Sequence, residues 1–382
     1  MSLVLYRKYR PQTFAEIIGQ EHVVQTLTNA ISSGMISHAY LFAGPRGSGK
    51  TTIARLLAKA ANCEGRKDSE FEPCNKCSSC LEIMEGRALD LIEIDAASHR
   101  GIDEMRELRD GIKFVPTKSK YKVFIIDESH MLTREAFNAL LKTLEEPPGH
   151  AIFVLATTEI HKMIPTIISR CQRFDFRKLT LPEIIKRLEI ICQKEGAKIE
   201  KAALELIALN ATGSIRDAES LLDQTLTFSG GGEKKIKAQD IKDLLGLVEI
   251  EAVQKFTDFL CQKKAPEAIN FLNEITERGS DLQEFSKALI NYLRQSLILK
   301  LVGKEAESSA NPIIIGLTKE EFQTLEKQTT IFKENELQNI LNLFLEAENK
   351  MKYSPIPQLP LELAIIEYAS EAQAERSVEM KA

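Results

Sequence analysis

Ala39-Tyr40-Leu41-Phe42-Ala43-Gly44-Pro45-Arg46-Gly47-Ser48-Gly49-Lys50-Thr51-Thr52-Ile53-Ala54-Arg55-Leu56-Leu57-Ala58 reads as an apolar strand, a glycine-rich loop and the start of a helix. Gly44 to Thr51 fits G-x-x-x-x-G-K-[ST], in which glycines let successive backbone N–H groups turn inward around phosphate oxygens. The candidate phosphate contacts are Gly44, Pro45, Arg46, Gly47, Ser48, Gly49, Lys50 and Thr51. Lys50 can reach the β and γ phosphates of ATP, Thr51 can ligate Mg²⁺, and the helix N-terminus adds the positive end of its dipole. A glycine-rich turn with no ligand is the alternative, and the strand–loop–helix context argues against it.

Working outward, Leu91-Ile92-Glu93-Ile94, Val123-Phe124-Ile125-Ile126 and Ile152-Phe153-Val154-Leu155 repeat the short apolar run, separated by helix-length segments. That rhythm predicts a parallel sheet covered on both faces up to about residue 176. The run at Val123 delivers Asp127-Glu128 to the C-terminal edge of such a sheet, where ligands bind. Asp127 can hold the Mg²⁺ shell, and Glu128 can orient an attacking water. Asp127-Glu128-Ser129-His130 also spells the D-E-x-H of some helicases, but no second sheet domain follows. Thr157 and Thr158 end the next strand as hydroxyls that could report on the γ-phosphate, or simply cap the following turn. Arg170, after a short helix, and Arg216, in Gly213-Ser214-Ile215-Arg216-Asp217-Ala218, are candidate cations for the transition-state charge. A surface salt bridge is the default for either one.

Cys74-x2-Cys77-x2-Cys80, with Cys63 eleven positions earlier, lies between the loop helix and the Leu91 strand. Four thiolates this close could close a tetrahedral Zn²⁺ site and stabilise an insertion too short to have its own core. An iron–sulfur cluster is disfavoured because the fourth Cys followed by Pro is missing, and unligated thiols are the bland alternative. The role is structural, since four thiolates leave no open coordination position. Cys171, Cys192 and Cys261 lie apart and are expected to be buried apolar residues.

The 382 residues suggest two or three domains, and 50 basic against 55 acidic side chains leave a net charge of −5. Any nucleic acid must therefore meet a local patch rather than a basic global field. With 43% hydrophobic and 27% charged residues, and no apolar run long enough to span a bilayer, the expectation is a soluble protein with no membrane partner. Charge at Arg7-Lys8 precedes any signal-peptide core, and seven cysteines without a secretory signal point to the cytoplasm.

From Leu179 onward the chain reads as helix after helix. Thr180-Leu181-Pro182-Glu183 has the form of a capping box, Ser229-Gly230-Gly231-Gly232 is a break, and the helical pattern resumes at Ala238. Phe256, Leu260, Ile269 and Leu272 recur at helical spacing, as expected for the core of a bundle. Thr318-Lys319-Glu320-Glu321 opens a late helix, and Ser354-Pro355-Ile356-Pro357 precedes the last one.

His38-Ala39-Tyr40-Leu41-Phe42, the stretch Phe137-Asn138-Ala139-Leu140-Leu141-Lys142-Thr143-Leu144-Glu145-Glu146-Pro147-Pro148 after Asp127-Glu128, and Ser169-Arg170-Cys171 together resemble the AAA+ clamp-loader ATPases. The four-cysteine insertion is similar to that of the gamma/tau subunits of bacterial DNA polymerase III. The resemblance implies an α/β P-loop AAA+ domain over residues 1–178 with a zinc insertion at 63–80. A small helical lid at 179–245, an all-α collar at 246–370 and a tail at 371–382 would follow. It implies an ATP hydrolase with structural Zn²⁺, joined to other clamp-loader subunits in a pentameric ring that acts on a sliding clamp and primer–template DNA. Arg170 would be the arginine finger reaching a neighbour's ATP, Arg216 the second sensor and Thr157 the first. The segment from Tyr9-Arg10-Pro11-Gln12 to Gly19-Gln20 would line the adenine side. Ser129 stands where the family's aliphatic residue is expected, and the chain is expected to stop where a tau tail would begin. Arg100, Thr133 and Arg134 are candidate DNA contacts at helix starts. Polymerase activity belongs to the holoenzyme, since no carboxylate constellation for nucleotidyl transfer is found. The rivals are a branch-migration-type AAA+ helicase and a non-hydrolysing ATP-binding scaffold.

Overall fold

A computed structural model describes residues 4–67, 69–98, 111–112, 114–230, 235–245, 250–277, 279, 281–302 and 319–379. Arg100 and Thr318 lie outside the described residues. The chain divides into two compact units, Met1–Ile236 and Lys237–Ala382.

The first unit is built on a five-stranded parallel sheet: β1 (Ala39–Ala43), β2 (Leu91–Asp95), β3 (Lys122–Asp127), β4 (Ala151–Thr157) and β5 (Gln172–Asp175), in the order β2-β3-β4-β1-β5. β1 and β4 are buried along their whole length, which is why they read as continuous apolar runs. Alternation decides which layer each side chain joins. Tyr40 and Phe42 pack with Phe14, Val23, Leu27, Ile53 and Leu57 on one face, while Leu41 joins Phe124, Phe153, Leu140 and Ile167 on the other. The chain leaves β1 for β2 at the far edge and returns through β3 and β4, so the C-terminal end of β1 faces that of β4 at the switch of direction. β5 is a strand that sequence patterning did not mark. It is an edge strand that buries only Phe174 and leaves Gln172, Arg173 and Asp175 in solvent.

Three lid helices follow within the same unit, Leu181–Glu195, Lys201–Asn210 and Ile215–Phe228. The capping box at Thr180 forms, with Thr180 N donating to Glu183 Oε2 at 2.8 Å. The helix Ala238–Leu245, read from sequence as the end of the lid, falls in the second unit.

That second unit is all-helical among the described residues, running from Ala238–Leu245 to Leu359–Glu379. Its core gathers Phe256, Leu260, Leu272, Phe285, Leu293, Ile340, Phe344 and Ile365. Phe256 meets Phe285 edge-on at 5.3 Å and Phe344 at 6.0 Å. Of the isolated cysteines, Cys192 is buried as expected, whereas Cys171 and Cys261 are only half-buried against their cores.

Candidate functional site: a phosphate-binding pocket and a four-thiol cluster

The C-terminal edge of the sheet opens into a pocket of about 550 Å³, lined by the loop Arg46–Thr51, by Asp127 and Glu128, and by Ile215, Arg216 and Glu219 of the lid. Gly47 and Gly49 hold φ of +73° and +97°, the left-handed region that lets the loop curl. Lys50 is only 6% exposed, and its Nζ donates to Gly44 O (2.8 Å) and Pro45 O (2.9 Å). Burial lowers the Lys50 pKa, while the Glu128 and Asp127 carboxylates oppose that shift. The ammonium therefore sits at the start of the helix Lys50–Ala61, tied to the carbonyls of its own loop and near two carboxylates. Thr51 Oγ1 donates to Asp127 Oδ2 at 2.7 Å. Two oxygen ligands facing each other across the loop and β3 fit a hard dication that keeps several waters.

Glu128 leaves β3 at φ +45° and points its Oε2 at Thr158, which donates through Oγ1 (2.8 Å) and N (3.4 Å). Thr157, the candidate first sensor, does not line the pocket. It is the last residue of β4 and fully buried, with its Oγ1 accepting from Glu159 N (3.0 Å) and lying 3.0 Å from His130 Nδ1. The next residue, Thr158, is the first beyond the strand and is the hydroxyl that meets the carboxylate. Ser129, at the position read as a departure from the family, is fully buried and donates to Ala156 O at 3.0 Å.

Arg216 lines the pocket, with its guanidinium 4.9 Å from the centre of the Tyr6 ring. It is delivered by the lid helix, whose Ile215 N donates to Gly47 O at 3.2 Å. Arg170 is not in this pocket. It follows the short helix Pro165–Ile168 and donates to Thr166 O (2.7 Å) and Glu145 Oε1 (2.6 Å). Thr133 caps the helix Arg134–Glu145 by accepting from Ala136 N (3.2 Å), and Arg134 is exposed at its first turn.

From the segment expected on the adenine side, Arg10, Pro11, Glu16, Ile17 and Ile18 line the pocket. Gln20 instead is buried and ties the chain to Arg177, donating to its carbonyl at 2.8 Å. Several lining residues carry no motif that would have marked them. Tyr6 and Arg7 come from a four-residue helix, and Asp95 ends β2 in register with Asp127. Asp95 shares the strand-end placement that marked Asp127, which is the one signal that could have found it. Arg187 and Glu219 pair at 2.9 Å, buried at the lid end of the pocket, where Arg187 Nη2 also donates to Tyr9 O. Burial raises the Glu219 pKa and the Arg187 guanidinium opposes it.

The four thiols come together as spaced. Cys63, Cys74, Cys77 and Cys80 place their Sγ atoms within 4.8 Å of one another, with 4.0 Å between Cys63 and Cys77 and between Cys74 and Cys80. A tetrahedron with Zn–S of about 2.3 Å has edges of about 3.8 Å, so the set fits zinc with only small adjustments. The Lys76 N–H is the main influence that draws the Cys74 thiol down to about 6, whereas burial pushes Cys80 up. A thiolate-binding dication would remove the cost of ionising the buried member.

No helix among the described residues is long and apolar enough to cross a membrane. Three family models cover the chain: "DNA polymerase III, delta subunit" over residues 19–180, "DNA polymerase III clamp loader subunit, ATPase lid domain" over 183–231, and "DNA polymerase III subunits gamma and tau domain III" over 236–381. DNA polymerase III subunit tau of Bacillus subtilis is 44% identical over 95% of this chain, which spans 62% of that protein. The Escherichia coli tau subunit is 43% identical over 78% of the chain, which spans 46% of it. The gamma subunit of Buchnera aphidicola from Acyrthosiphon pisum is 38% identical over 96% of this chain and 98% of its own length. The chain belongs to the gamma/tau family of DNA polymerase III clamp-loader subunits.

Proposed function

We propose that this chain is the ATP-hydrolysing subunit of the replicative sliding-clamp loader. In this reading it works in a pentameric ring with other clamp-loader subunits to open the clamp, load it on primer–template DNA and release it. The observation that carries the reading is the convergence of Lys50, the Thr51–Asp127 pair, Glu128 and Arg216 on one pocket.

In that pocket the loop N–H groups and Lys50 would hold the β and γ phosphates of ATP. Thr51 and Asp127 would hold Mg²⁺, which supplies charge neutralisation across the phosphate oxygens. Glu128 would orient the water that attacks the γ-phosphorus as the bond to the β–γ bridging oxygen breaks, giving ADP and phosphate. Its hydrogen bond to Thr158 makes Thr158 the hydroxyl best placed to register the phosphate, with Thr157 bracing the loop beneath. Arg216 would meet the phosphates from the chain's own lid, and Arg170, outside the pocket, those of an adjacent subunit. Cys63, Cys74, Cys77 and Cys80 would hold a structural Zn²⁺. Thr133 and Arg134 remain candidates for DNA phosphates, on an exposed helix start.

The test is ATPase turnover with purified partner subunits, adding sliding clamp and primed DNA separately and together. Synergistic stimulation is expected. Turnover indifferent to the clamp, with processive strand displacement, would turn the assignment to a branch-migration motor, and binding without turnover to a scaffold.

A further inference from the structure

The four-thiol insertion is joined through one carboxylate to the turn that leads into a wall of the pocket. Cys63 follows closely on the P-loop helix (Lys50–Ala61), and Glu72 lies two residues before Cys74 in the insertion. Glu72 Oε2 accepts from Phe14 N at 2.9 Å and its Oε1 accepts from Ala15 N at 2.8 Å. Both donors belong to the single-turn helix Phe14–Glu16, and the three residues Glu16, Ile17 and Ile18 that end or follow it line the pocket. Phe14 is 1% exposed and packs with Ile53 and Leu57 of the P-loop helix, so the turn is fixed from below by the core. Its N-terminal side is fixed by Lys59, whose Nζ donates to Gln12 Oε1 at 2.7 Å. From the insertion, Glu72 is the clamp.

We infer that Glu72 is a positioning residue for nucleotide binding, by which the metal-closed thiol loop holds the Phe14–Glu16 turn and so shapes a wall of the pocket separate from the phosphate loop. Phosphate binding by that loop and Lys50 does not draw on this wall. Loss of the clamp therefore weakens the ligand that fills the pocket and spares one that occupies the phosphate loop alone. The inference rests on the pocket being the ATP site.

The test compares wild type, Glu72→Gln and Glu72→Ala in the full chain, each titrated with ATP and with inorganic tripolyphosphate in competition against a fluorescent ATP analogue. Zinc content is measured alongside. Glu72→Ala is expected to keep its zinc, about one per chain. It is expected to bind ATP about tenfold more weakly, a loss about the size of one of the two charge-assisted hydrogen bonds removed from the turn, and to bind tripolyphosphate unchanged. Glu72→Gln should fall between, since one carbonyl oxygen cannot serve both N–H groups well. Wild type stripped of zinc by a chelator should show the same selective loss. ATP affinity unchanged in Glu72→Ala overturns the inference, as does an equal weakening of both ligands. Failure of wild type to bind ATP at all overturns the reading of the pocket together with it.

Discussion

Gly47 carries two duties that no other residue type can combine. Its φ of +73° lets the loop curl, and a Cβ there would lie 1.9 Å from Ser214 Oγ, the cap of the lid helix that bears Arg216. Its carbonyl accepts from Ile215 N, so loop and lid are joined backbone to backbone at this point. Gly47→Ala is therefore expected to lower stability by about 1–2 kcal/mol from the left-handed backbone alone. It should also weaken ATP binding by pushing Ser214, and with it Arg216, away from the pocket. Denaturant melts and nucleotide titration of the same preparation check both parts. A variant that is strained but binds ATP normally would mean that the lid contact is not needed for binding. Residue-scale roles are unevenly legible in the sequence. Lys50, Thr51 and Asp127 are readable because a spaced motif names them, but Thr157 and Thr158 are adjacent and alike, and only the end of β4 decides which is buried. Arg187 and Glu219 belong to no spaced motif and sit on separate helices, so only packing shows them as a buried pair.

Among the elements, the join between sheet and lid runs through residues 176–181, where one carboxylate adds to the hold of Gln20 and the backbone. Glu183 accepts from Thr180 N and pairs with Arg177 Nη2 at 2.6 Å. Arg177, helped by the Thr180 N–H, holds the Glu183 carboxyl well below its ordinary range, at about 2. Because the folded pKa is depressed, the stabilisation is fully present above the unfolded pKa near 4.5 and is lost as pH falls toward 2. Glu183→Ala should cost about 1–2 kcal/mol at neutral pH, as for a lost helix cap with a partly exposed ion pair. The gap to wild type should narrow clearly between pH 5 and about pH 3, followed by urea melts at several pH values. A gap that stays constant across that range would show that the charge contributes nothing. The capping box can be read in advance because its spacing is local. β5 cannot, since an edge strand with a single buried residue has neither the alternation nor the apolar run that marks β1, β3 and β4. Helices of the second unit are legible as a class from their apolar spacing, while the start of that unit at Lys237 is a matter of packing that spacing does not encode.

For the molecule as a whole, the decisive question is where Arg170 acts. Within its own chain it is absent from the pocket lining and is held by Glu145 Oε1 and Thr166 O, whereas Arg216 already supplies a cation to that pocket. An arginine finger meeting the transferring phosphoryl group is worth about 10³–10⁵ in turnover, and Arg170 is the candidate left outside its own chain's pocket to supply one. The proposed function therefore gives Arg170 its target on a second subunit, and this can be tested by complementation. On that reading Arg170→Ala would keep its pocket but offer no finger, while Lys50→Ala would offer the finger but lack the ammonium proposed to bind phosphate. Each variant, assembled with partner subunits, clamp and primed DNA, is expected to turn over at least about 10³-fold more slowly than wild type. Arg170→Ala should still bind ATP with nearly wild-type affinity. Mixed before assembly, the two should recover a substantial part of the rate, because in some interfaces an intact pocket then faces an intact finger. If Arg170 served its own chain, every subunit in the mixture would remain defective and no recovery could occur. Mixing the two proteins after separate assembly provides the control, since on the proposed function subunits held in rings would keep their neighbours and the rate should stay low.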